Sequence, residues 1–408
     1  MEFLAGQPKH YSWGSRSAIP TMFGLPAGDQ PVAELWLGAH PLGPALLGRE
    51  FTAAFGREVG TGVVDLAAHV AGAPERVLGA DVARRTGGTL PFLLKLIAPA
   101  EPLSLQVHPS IAQARAGFAA EEVAGVPFDS AARNYKDRNH KPELVYALTR
   151  FEAVVGFRSP RRILGVLAGL DTPLTRRLAQ FVEEQPDAGG VKAAFEWLLS
   201  AGSRPTAQAV AEVAAACEVR PAEESPSPRA DRIVAYLSQF YPGDPGVVAS
   251  LLLNPVTLAP GEAMFTPAGT VHAYLSGMGV EVMAASDNVM RAGLTPKHVD
   301  VPALLSVLDT VAAPPIRIAP ERVSPVQSTF YAPVDDFELS VITLRDASSW
   351  TRVRGSGPRI LLCLEGAAQI HSAGGVLTMN TGSAVLVEAA DAGVELRGAG
   401  KFVQADVP

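Results

Sequence analysis

Three short segments of the sequence carry residue types that bind metal ions, and each lies at the end of a predicted β-strand. They contain Gln106 and His108, then His140 and Glu143, and finally His272. Neutral imidazole and carboxylate are ordinary zinc ligands, and the same set would also accept manganese or iron. An amide oxygen is a less usual ligand, so Gln106 is either a fourth ligand or a neighbour. An open coordination position beside such a group would suit a catalytic site.

The elements around these residues are predicted to direct them toward one interior. Residues 103–108 alternate between apolar and polar and stop at Pro109, so Gln106 and His108 point to the same face of a strand. Between Gly261 and His272, Pro267 and Gly269 predict a tight turn, after which a strand presents His272 inward. The spacing of this turn resembles the second motif of the cupin superfamily, whose small jelly rolls hold a metal inside a barrel.

A second polar cluster follows in residues 279–297. It contains Glu281, Asp287, Arg291 and Lys297 among apolar residues. An Arg and a Lys within seven residues can hold a phosphate or a developing oxyanion. A solvated turn would have the same composition, and this alternative stays open at the level of residue types.

The chain has 408 residues, which predicts two or three domains rather than one core. Its 38 Gly and 34 Pro favour a turn-rich β protein. Residues 1–155 show strand and turn patterns, whereas the next hundred show helical periodicity, with Thr172-Pro173 as one predicted helix start. We therefore expect a mainly β protein with a helical insert, made of two cupin-like jelly rolls and a small α-helical domain.

The expected boundaries place a first jelly roll in residues 1–158 and 254–324. The helical domain occupies 159–253, and a C-terminal jelly roll that binds no metal occupies 325–408. The Pro- and Ser-rich segment 221–228 is predicted to be an exposed loop.

Composition excludes several classes of partner. The net charge of −7 and the lack of a basic run argue against nucleic acid. No apolar stretch of about 20 residues predicts a membrane span, and no signal peptide is visible, so we expect a cytoplasmic protein. Cys217 and Cys363 lack CxxC spacing and are predicted to be buried reduced thiols. A monomer is the default expectation.

Across nearly its whole length, the chain resembles the type I phosphomannose isomerase family. Several independent motifs occur in the same order as in that family, which argues against chance similarity. The motifs that carry the resemblance are residues 11–14, 33–41, 91–95, 103–109, 139–143 and 286–297.

The resemblance implies a metal site and an activity. The activity would be the interconversion of mannose 6-phosphate and fructose 6-phosphate, in mannose use or in the supply of mannosyl donors. One zinc ion per chain would be held by residues that match the family's ligands. These are Gln106, His108, Glu143 and His272.

The resemblance also assigns expectations to the polar residues. Arg291 matches the family's active-site arginine, and Ser104, Lys95 and Lys297 match positions near the sugar phosphate. Lys141, Glu281 and Asp287 match residues that line the cleft. The list of candidate bases is Lys141, Asp287, Glu281 and His140.

Aldose–ketose isomerisation moves a proton between C1 and C2 through an enediol, so it needs a base and stabilisation of an oxyanion. We hypothesise that Lys141 and Asp287 transfer the proton and that Arg291 stabilises the enediolate. Three alternatives are another cupin sugar-phosphate isomerase, a non-catalytic carbohydrate-binding protein with two cupin domains, and a cupin dioxygenase. The non-catalytic protein would not need Arg291, Lys297 and Lys141 around a metal, and a dioxygenase would usually use more His ligands.

Overall fold

The structure is a computed structural model that describes residues 1–48 and 64–408. Within these residues, 22 strands form three antiparallel sheets, and 12 helices pack around them. The expectation of a mainly β protein is therefore confirmed. The described part of the chain contains no helix long and apolar enough to cross a bilayer.

The strands, in chain order, are β1 (Glu2–Ala5), β2 (Gln7–Lys9), β3 (Glu34–Gly38), β4 (Leu46–Leu47), β5 (Phe92–Ile97), β6 (Leu105–Val107), β7 (Glu143–Ala147), β8 (Phe151–Phe157), β9 (Leu253–Leu258), β10 (Ala263–Thr266), β11 (His272–Ser276), β12 (Gly279–Ala284), β13 (Met290–Gly293), β14 (Ile316–Ile318), β15 (Glu321–Arg322), β16 (Gln327–Phe330), β17 (Glu338–Leu344), β18 (Thr351–Arg352), β19 (Ser356–Ser372), β20 (Gly375–Asn380), β21 (Ala384–Val387) and β22 (Glu395–Val407).

The helices, in chain order, are α1 (Ala18–Met22), α2 (Leu66–Gly72), α3 (Pro74–Leu78), α4 (Ala80–Thr86), α5 (Ile111–Val123), α6 (Pro160–Leu167), α7 (Pro173–Glu184), α8 (Ala188–Leu199), α9 (Ala207–Val219), α10 (Pro228–Phe240), α11 (Pro245–Ala249) and α12 (Val301–Val307).

Two of the sheets face each other and create the space in which the predicted site residues meet. The five-stranded sheet has the order β13-β6-β11-β8-β9, and the seven-stranded sheet has the order β14-β10-β7-β12-β5-β3-β2. Val145 and Met264 of the second sheet pack against Phe151 and Val256 of the first in one apolar cluster. Because this cluster fills only part of the interface, polar side chains can occupy the rest.

Successive side chains of a strand point to opposite faces, so the seven-stranded sheet packs against both of the other sheets. Along β5, Leu94 and Leu96 join the core shared with the ten-stranded sheet, whereas Lys95 and Ile97 face the five-stranded sheet. The ten-stranded sheet has the order β15-β16-β17-β22-β19-β21-β1-β4, with β18 and β20 attached to β22 and β19. The N-terminal strand β1 therefore belongs to a sheet that is otherwise built mostly by residues after Glu321.

Helices α6 to α11 lie between β8 and β9 in the chain and cover the outer face of the five-stranded sheet. Thr172 caps α7, and Pro173 occupies its first turn, which confirms the predicted helix start. Leu178 of α7 and Phe157 of β8 belong to the same apolar cluster. The helical segment thus shares its core with the sheet that carries part of the predicted site.

Helices α1 to α5 were not anticipated, because residues 1–155 show turn and strand patterns. In α5 only Ala114 is buried, so the segment lacks the apolar stripe by which a helix is recognised. The sequence feature that indicates a helix start here is the capping box of Ser110 and Gln113. The segment 221–228 is mostly exposed, and Cys217 and Cys363 are buried and unpaired, as predicted.

Candidate active site

The three predicted metal-binding residues His108, Glu143 and His272 converge between the two facing sheets. His108 Nε2 lies 3.3 Å from Glu143 Oε1, and His272 Nε2 lies 3.2 Å from Glu143 Oε2. One ligand atom from each residue falls within 4.8 Å of the others, and all three side chains are buried. Since β7 belongs to one sheet and β6 and β11 to the other, this group joins the two sheets.

The outer nitrogens of both imidazoles are held by backbone carbonyls. His108 Nδ1 lies 2.7 Å from the Asn288 carbonyl oxygen, and His272 Nδ1 lies 2.9 Å from that of Thr270. A carbonyl only accepts, so each Nδ1 carries the proton and each Nε2 presents a lone pair to the interior. This is the tautomer that binds a metal through Nε2.

The geometry and the electrostatics of this group fit a cation. Burial and the neighbouring Lys141 ammonium lower the pKa of His108 to about 4, so the ring is neutral at pH 7. His108 Nε2 is solvent-inaccessible and has no hydrogen-bond partner among residues 1–48 and 64–408. Two acceptor nitrogens and a carboxylate that face one another in a dry interior repel unless a positive ion lies between them.

Gln106 lies beside the group. It is paired with His272 across β6 and β11, and its side-chain amide is 3.3 Å from His272 Nε2. The oxygen and nitrogen of an amide are interchangeable by a flip, so the oxygen can face the same point as the imidazoles. The structure therefore brings all four predicted ligand residues together.

The local turn before β11 is the one predicted from Pro267 and Gly269. Gly269 has a φ of +81°, which favours glycine, and its N–H donates to the His108 carbonyl at 2.8 Å. One turn thus connects two of the ligand segments and places His272 at the first position of β11.

A cleft of about 450 Å³ opens in front of the metal-binding group. Nine of the twelve predicted site residues line it. They are Lys95, Ser104, Gln106, Lys141, Glu143, Glu281, Asp287, Arg291 and Lys297. His108 and His272 are buried behind this lining.

Acidic and basic groups alternate on the seven-stranded side of the cleft. Lys95 Nζ lies 3.1 Å from Glu281 and 3.7 Å from Glu34. Burial lowers the pKa of Lys95, but the carboxylates of Glu34 and Glu281 outweigh it and raise the pKa above its ordinary value. Burial raises the pKa of Glu281, and the Lys95 ammonium lowers it by less, so the pKa is above its ordinary value. Lys95 is therefore a permanent cation, matched by two carboxylates.

Lys141 and Asp287 lie on the same side of the cleft. Lys141 Nζ is 3.2 Å from Glu143 Oε1, so it touches the metal-binding group from the cleft. Asp287 Oδ1 is 3.3 Å from His40 Nε2, and its side chain is 28% exposed. Burial raises the pKa of Asp287, but the hydrogen bond from His40 and the ammonium charge of Lys141 outweigh it and hold the pKa below its ordinary value. Asp287 is consequently an ionised carboxylate that faces the cleft.

Arg291 and Lys297 are the cationic side chains of the cleft that have no ion-pair or hydrogen-bond partner in the described part of the chain. Burial lowers the pKa of Arg291, and burial together with Arg291 lowers the pKa of Lys297. Arg291 still stays charged, because a guanidinium begins from a pKa above 12. Their charges are available to an anionic ligand.

His140 is the predicted site residue that the structure does not bring to the cleft. Its Nε2 lies 2.8 Å from Asp336 Oδ2, between β16 and β17, and it is absent from the cleft lining. Its ring therefore faces the C-terminal sheet, although it directly precedes Lys141.

Several residues that line the cleft or hold its lining residues could not be assigned from the sequence. Trp36 Nε1 donates to Glu34 at 2.6 Å, Tyr274 OH donates to Glu143 at 3.4 Å, and His40 holds Asp287. Glu34, Trp36 and His40 lie in the motif at residues 33–41, which was recognised without a role for its members. Tyr274 follows His272 by two residues, and this same-face spacing was the available signal.

The fold and the cleft together define a mainly β metal-binding protein with a polar, catalytic-type cleft between two sheets. A family model described as phosphomannose isomerase type I, catalytic domain, matches residues 2–160. Mannose-6-phosphate isomerase of Escherichia coli K12 is 37% identical over 406 residues, which cover 99% of both chains. The rat enzyme of the same name is 32% identical over 418 residues and 93% of both chains.

Solved structures agree with the sequence relatives. A mannose 6-phosphate isomerase bound with zinc and yttrium superposes with a TM-score of 0.87 at 36% identity, covering 100% of this chain and 99% of the other. A zinc-bound holo form superposes with a TM-score of 0.86 at the same identity and coverage. This chain belongs to the type I phosphomannose isomerase family.

Proposed function

We propose that the chain is an isomerase that interconverts mannose 6-phosphate and fructose 6-phosphate with one zinc ion. The observation that carries this proposal is a buried group of two imidazoles and a carboxylate, in which His108 Nε2 is unpaired, at the inner end of a cleft with two unmatched cations. Relatives named mannose-6-phosphate isomerase cover almost the whole chain, and solved neighbours contain zinc. The cations suit a phosphorylated substrate.

Zinc would be held by His108, Glu143 and His272, with Gln106 as the fourth ligand. When bound, zinc supplies a Lewis acid that polarises a sugar oxygen at C1 or C2. Asn288 and Thr270 fix both imidazoles in the required tautomer through their carbonyl oxygens. These backbone contacts would hold both imidazoles in the orientation that a metal ligand needs.

The phosphate of the substrate would lie at Lys297, with Ser104 as a second contact. Lys95 matches the same group of family positions, but its ammonium is already neutralised by Glu34 and Glu281. We therefore assign Lys95 to holding these two carboxylates in place. An unmatched ammonium attracts a phosphate dianion more strongly than one enclosed by carboxylates.

Arg291 would stabilise the negative charge that develops on the enediolate oxygens. It stands opposite Gln106 across strands β13 and β6, so it lies next to the metal-binding group. It has no counter-charge among the described residues, and a guanidinium can donate two hydrogen bonds to adjacent oxygens. Preorganised charge of this kind is among the largest contributions to catalysis.

Proton transfer between C1 and C2 would use Asp287 and Lys141. Asp287 is ionised and faces the cleft, whereas Glu281 has a raised pKa and is bound by Lys95. Lys141 lies beside Glu143 at the inner end of the cleft, where it can donate to a sugar oxygen. His140, also expected as a candidate, is bound to Asp336, so its contribution would be to orient the segment that carries Lys141.

The decisive experiment is turnover of mannose 6-phosphate to fructose 6-phosphate before and after chelation, followed by addition of zinc. We expect chelation to abolish turnover and zinc to restore it. A folded, zinc-loaded chain that turns over no mannose 6-phosphate would reject the proposal. Glucose 6-phosphate and other aldose phosphates in the same assay test whether the enzyme is instead a different sugar-phosphate isomerase.

The proton-transfer assignment needs its own test, because Lys141 touches a metal ligand. Asp287→Asn and Lys141→Met are compared for turnover and for uptake of solvent deuterium at C1 and C2, with bound zinc measured in each variant. We expect both to retain zinc and to lose turnover and deuterium uptake together. Near-full turnover in either variant would remove that residue from the mechanism. Lys192→Met, on helix α8 outside the cleft, serves as the charge-matched control.

The finer architecture is part of the same proposal. The five- and seven-stranded sheets would form a cupin-like jelly roll, with its parts in residues 1–158 and 254–324. Residues 159–253 would be the helical domain, and 325–408 the C-terminal jelly roll without metal. The antiparallel pairing of all three sheets supports this division, while strand β1 extends the C-terminal unit. The monomeric state and the cytoplasmic location stay predictions, and light scattering of the purified chain measures the first.

A further inference from the structure

A second polar cavity lies in the C-terminal sheet and shares no lining residue with the cleft. It has a volume of about 790 Å³ and is bounded by β18, the start of β19 and the loop that follows β21. This volume is within the range of small-molecule sites. Three arginines line it, namely Arg352, Arg354 and Arg359. They are half of the six Lys and Arg residues in 325–408, the others being Arg345, Arg397 and Lys401.

Arg359 is the most unusual of the three arginines. It is only 6% exposed, and its Nε is fully buried without a hydrogen-bond partner. In the described part of the chain no carboxylate forms an ion pair with it, and no acceptor is bonded to its terminal nitrogens. Burial lowers the pKa of Arg359, but a guanidinium remains cationic at neutral pH. A buried cation without a partner is costly, which indicates that a ligand completes its surroundings.

The acidic groups near this cavity do not neutralise its arginines. Asp391 binds the amino group of Met1, and Glu388 pairs with Arg76 and His69. Glu395 stands opposite Arg352 across β18 and β22, and its carboxylate lies 3.7 Å from His371. Asp406 is the carboxylate that acts most on Arg359. Burial and the charge of Glu338 raise the pKa of Asp406 well above its ordinary value, despite the nearby Arg359. The cavity therefore keeps a local excess of positive charge in a chain whose net charge is −7.

The loop that carries these arginines is built to approach the sheet closely. A Cβ atom at Gly355 would lie 2.4 Å from both Asp406 Oδ2 and Gln404 Nε2, and Gly355 has a φ of +151°. Only glycine allows the backbone to pass here. Gln404 Nε2 then donates to the Arg354 carbonyl at 2.8 Å, which holds the loop over the strand end. Arg352 and Arg354 are thereby positioned on either side of Val353 at the cavity.

We propose that this cavity is a second anion site, which binds the phosphoryl group of a small phosphorylated molecule. Arg354 and Arg352 would provide the exposed contacts, and Arg359 the buried one. Guanidinium groups bind phosphate through paired N–H donors, and three of them around one cavity favour a dianion over a single carboxylate. The site is separate from the catalytic cleft and does not depend on the reaction proposed there.

Hydrogen–deuterium exchange of the full-length, zinc-loaded chain tests the proposal, because it reports on each region separately. The probes are inorganic phosphate and a nucleoside diphosphate, each titrated to saturation. We expect saturable protection of peptides that span residues 350–360 and 388–394. Equal affinity for the two probes would mean that the phosphoryl group alone is recognised, whereas tighter binding of the nucleotide would mean that the organic part also contributes. Peptides that span 286–297 report phosphate binding in the cleft independently.

Arg352→Gln/Arg354→Gln should raise the concentration for half-maximal protection about tenfold or more, since two charge-assisted contacts are lost. Arg322→Gln/Arg345→Gln removes the same charge outside the cavity and should leave it unchanged. Both double variants are expected to keep full turnover of mannose 6-phosphate, so a failure of the catalytic proposal would be seen separately. Lack of saturable protection at 350–360, or an equal titration in the two double variants, would overturn the proposal.

Discussion

The cleft and the C-terminal sheet both bury carboxylates between antiparallel strands, but the cleft pairs its buried carboxylates with lysines. In the cleft, burial raises the pKa of Glu143, but the Lys141 ammonium 3.2 Å away helps to hold that pKa well below its ordinary value. In the C-terminal sheet, Glu338 stands opposite Asp406 on the neighbouring strand. Neither has an ion-pair partner in residues 1–48 and 64–408, and burial raises both pKa values.

The same antiparallel architecture therefore supports a charged cleft in one place and an apolar core in another. Both regions alternate inward and outward side chains along antiparallel strands. At the inward positions of β19 and β22, the C-terminal unit has apolar residues such as Leu361, Ile370 and Phe402. At the inward positions of β5 and β7, the cleft has Lys95 and Glu143. Both of these charges are retained in a dry interior because an opposite charge lies beside each of them.

The largest expected effect removes a metal ligand. His272→Ala should abolish bound zinc and lower turnover of mannose 6-phosphate on the order of 10³-fold, because the Lewis acid is worth several kcal/mol. Elemental analysis and initial rates measure the two outcomes. His371→Ala, in the C-terminal sheet and 3.7 Å from Glu395, is the control and should change neither. Stoichiometric zinc in His272→Ala would contradict the metal assignment.

The second prediction tests whether the apolar core of the C-terminal unit stabilises the fold without affecting the metal site. Phe402 is fully buried in the apolar core of that unit, so Phe402→Ala should lower the free energy of unfolding by about 3–5 kcal/mol. Denaturant unfolding measures this change, and zinc content should stay at that of the wild type. The control is Val376→Ala at a position that is 52% exposed, expected to change stability by about 0.5 kcal/mol or less. Loss of zinc from folded Phe402→Ala would mean that the core of the C-terminal unit also supports the metal site.

The third prediction concerns Arg291, one of the two unmatched cations of the cleft. Arg291→Gln should lower kcat by about 10²–10³-fold while zinc is retained, because a preorganised donor to the enediolate is lost. Arg291→Lys keeps the charge but not the paired donors, and an intermediate kcat is expected. Steady-state kinetics with zinc analysis separates these cases. An unchanged kcat with a higher KM would move Arg291 from oxyanion stabilisation to substrate binding.

The smallest effect is a pH dependence of stability from the unmatched carboxylates. Burial raises the pKa of Glu338 to about 7, above an unfolded value of about 4.3. The folded state thus favours the protonated form, and the stability that this form contributes is complete below about pH 4.3 and is lost as the pH rises toward 7. Glu338→Gln should remove this loss and be more stable than the wild type at pH 8, by about 1 kcal/mol after allowance for partial solvent exposure.

Unfolding free energies at pH 5, 6, 7 and 8 measure the Glu338 effect. The two proteins should differ least at pH 5, and the difference should grow with pH. Glu365→Gln, at an exposed position of β19, should show no such trend. A difference that shrinks as the pH rises would mean that Glu338 is stabilised as a carboxylate, and the contrast with the cleft would fail.

Much of the site could be predicted from local sequence, for a clear physical reason. The alternation in 103–108 determines that Gln106 and His108 share a face, and Pro267 with Gly269 determines the turn before His272. These are short-range properties, because strand period and turn conformation depend on neighbouring residues. Residue types also singled out Glu143, Arg291 and Lys297, and the family resemblance added the roles expected of them.

The remaining features were decided only by tertiary structure. Lys95 meets Glu281 across 186 positions of sequence, and His140 turns to Asp336 across 196. Likewise, β1 joins β21 at the opposite end of the chain. Such pairings depend on which layers pack together and on the shape of the space between them. The periodicity of the sequence gives no information on either. Residue types and strand period indicate which side chains can do chemistry. The packing of the sheets determines which of their charges are paired and which stay available to a substrate.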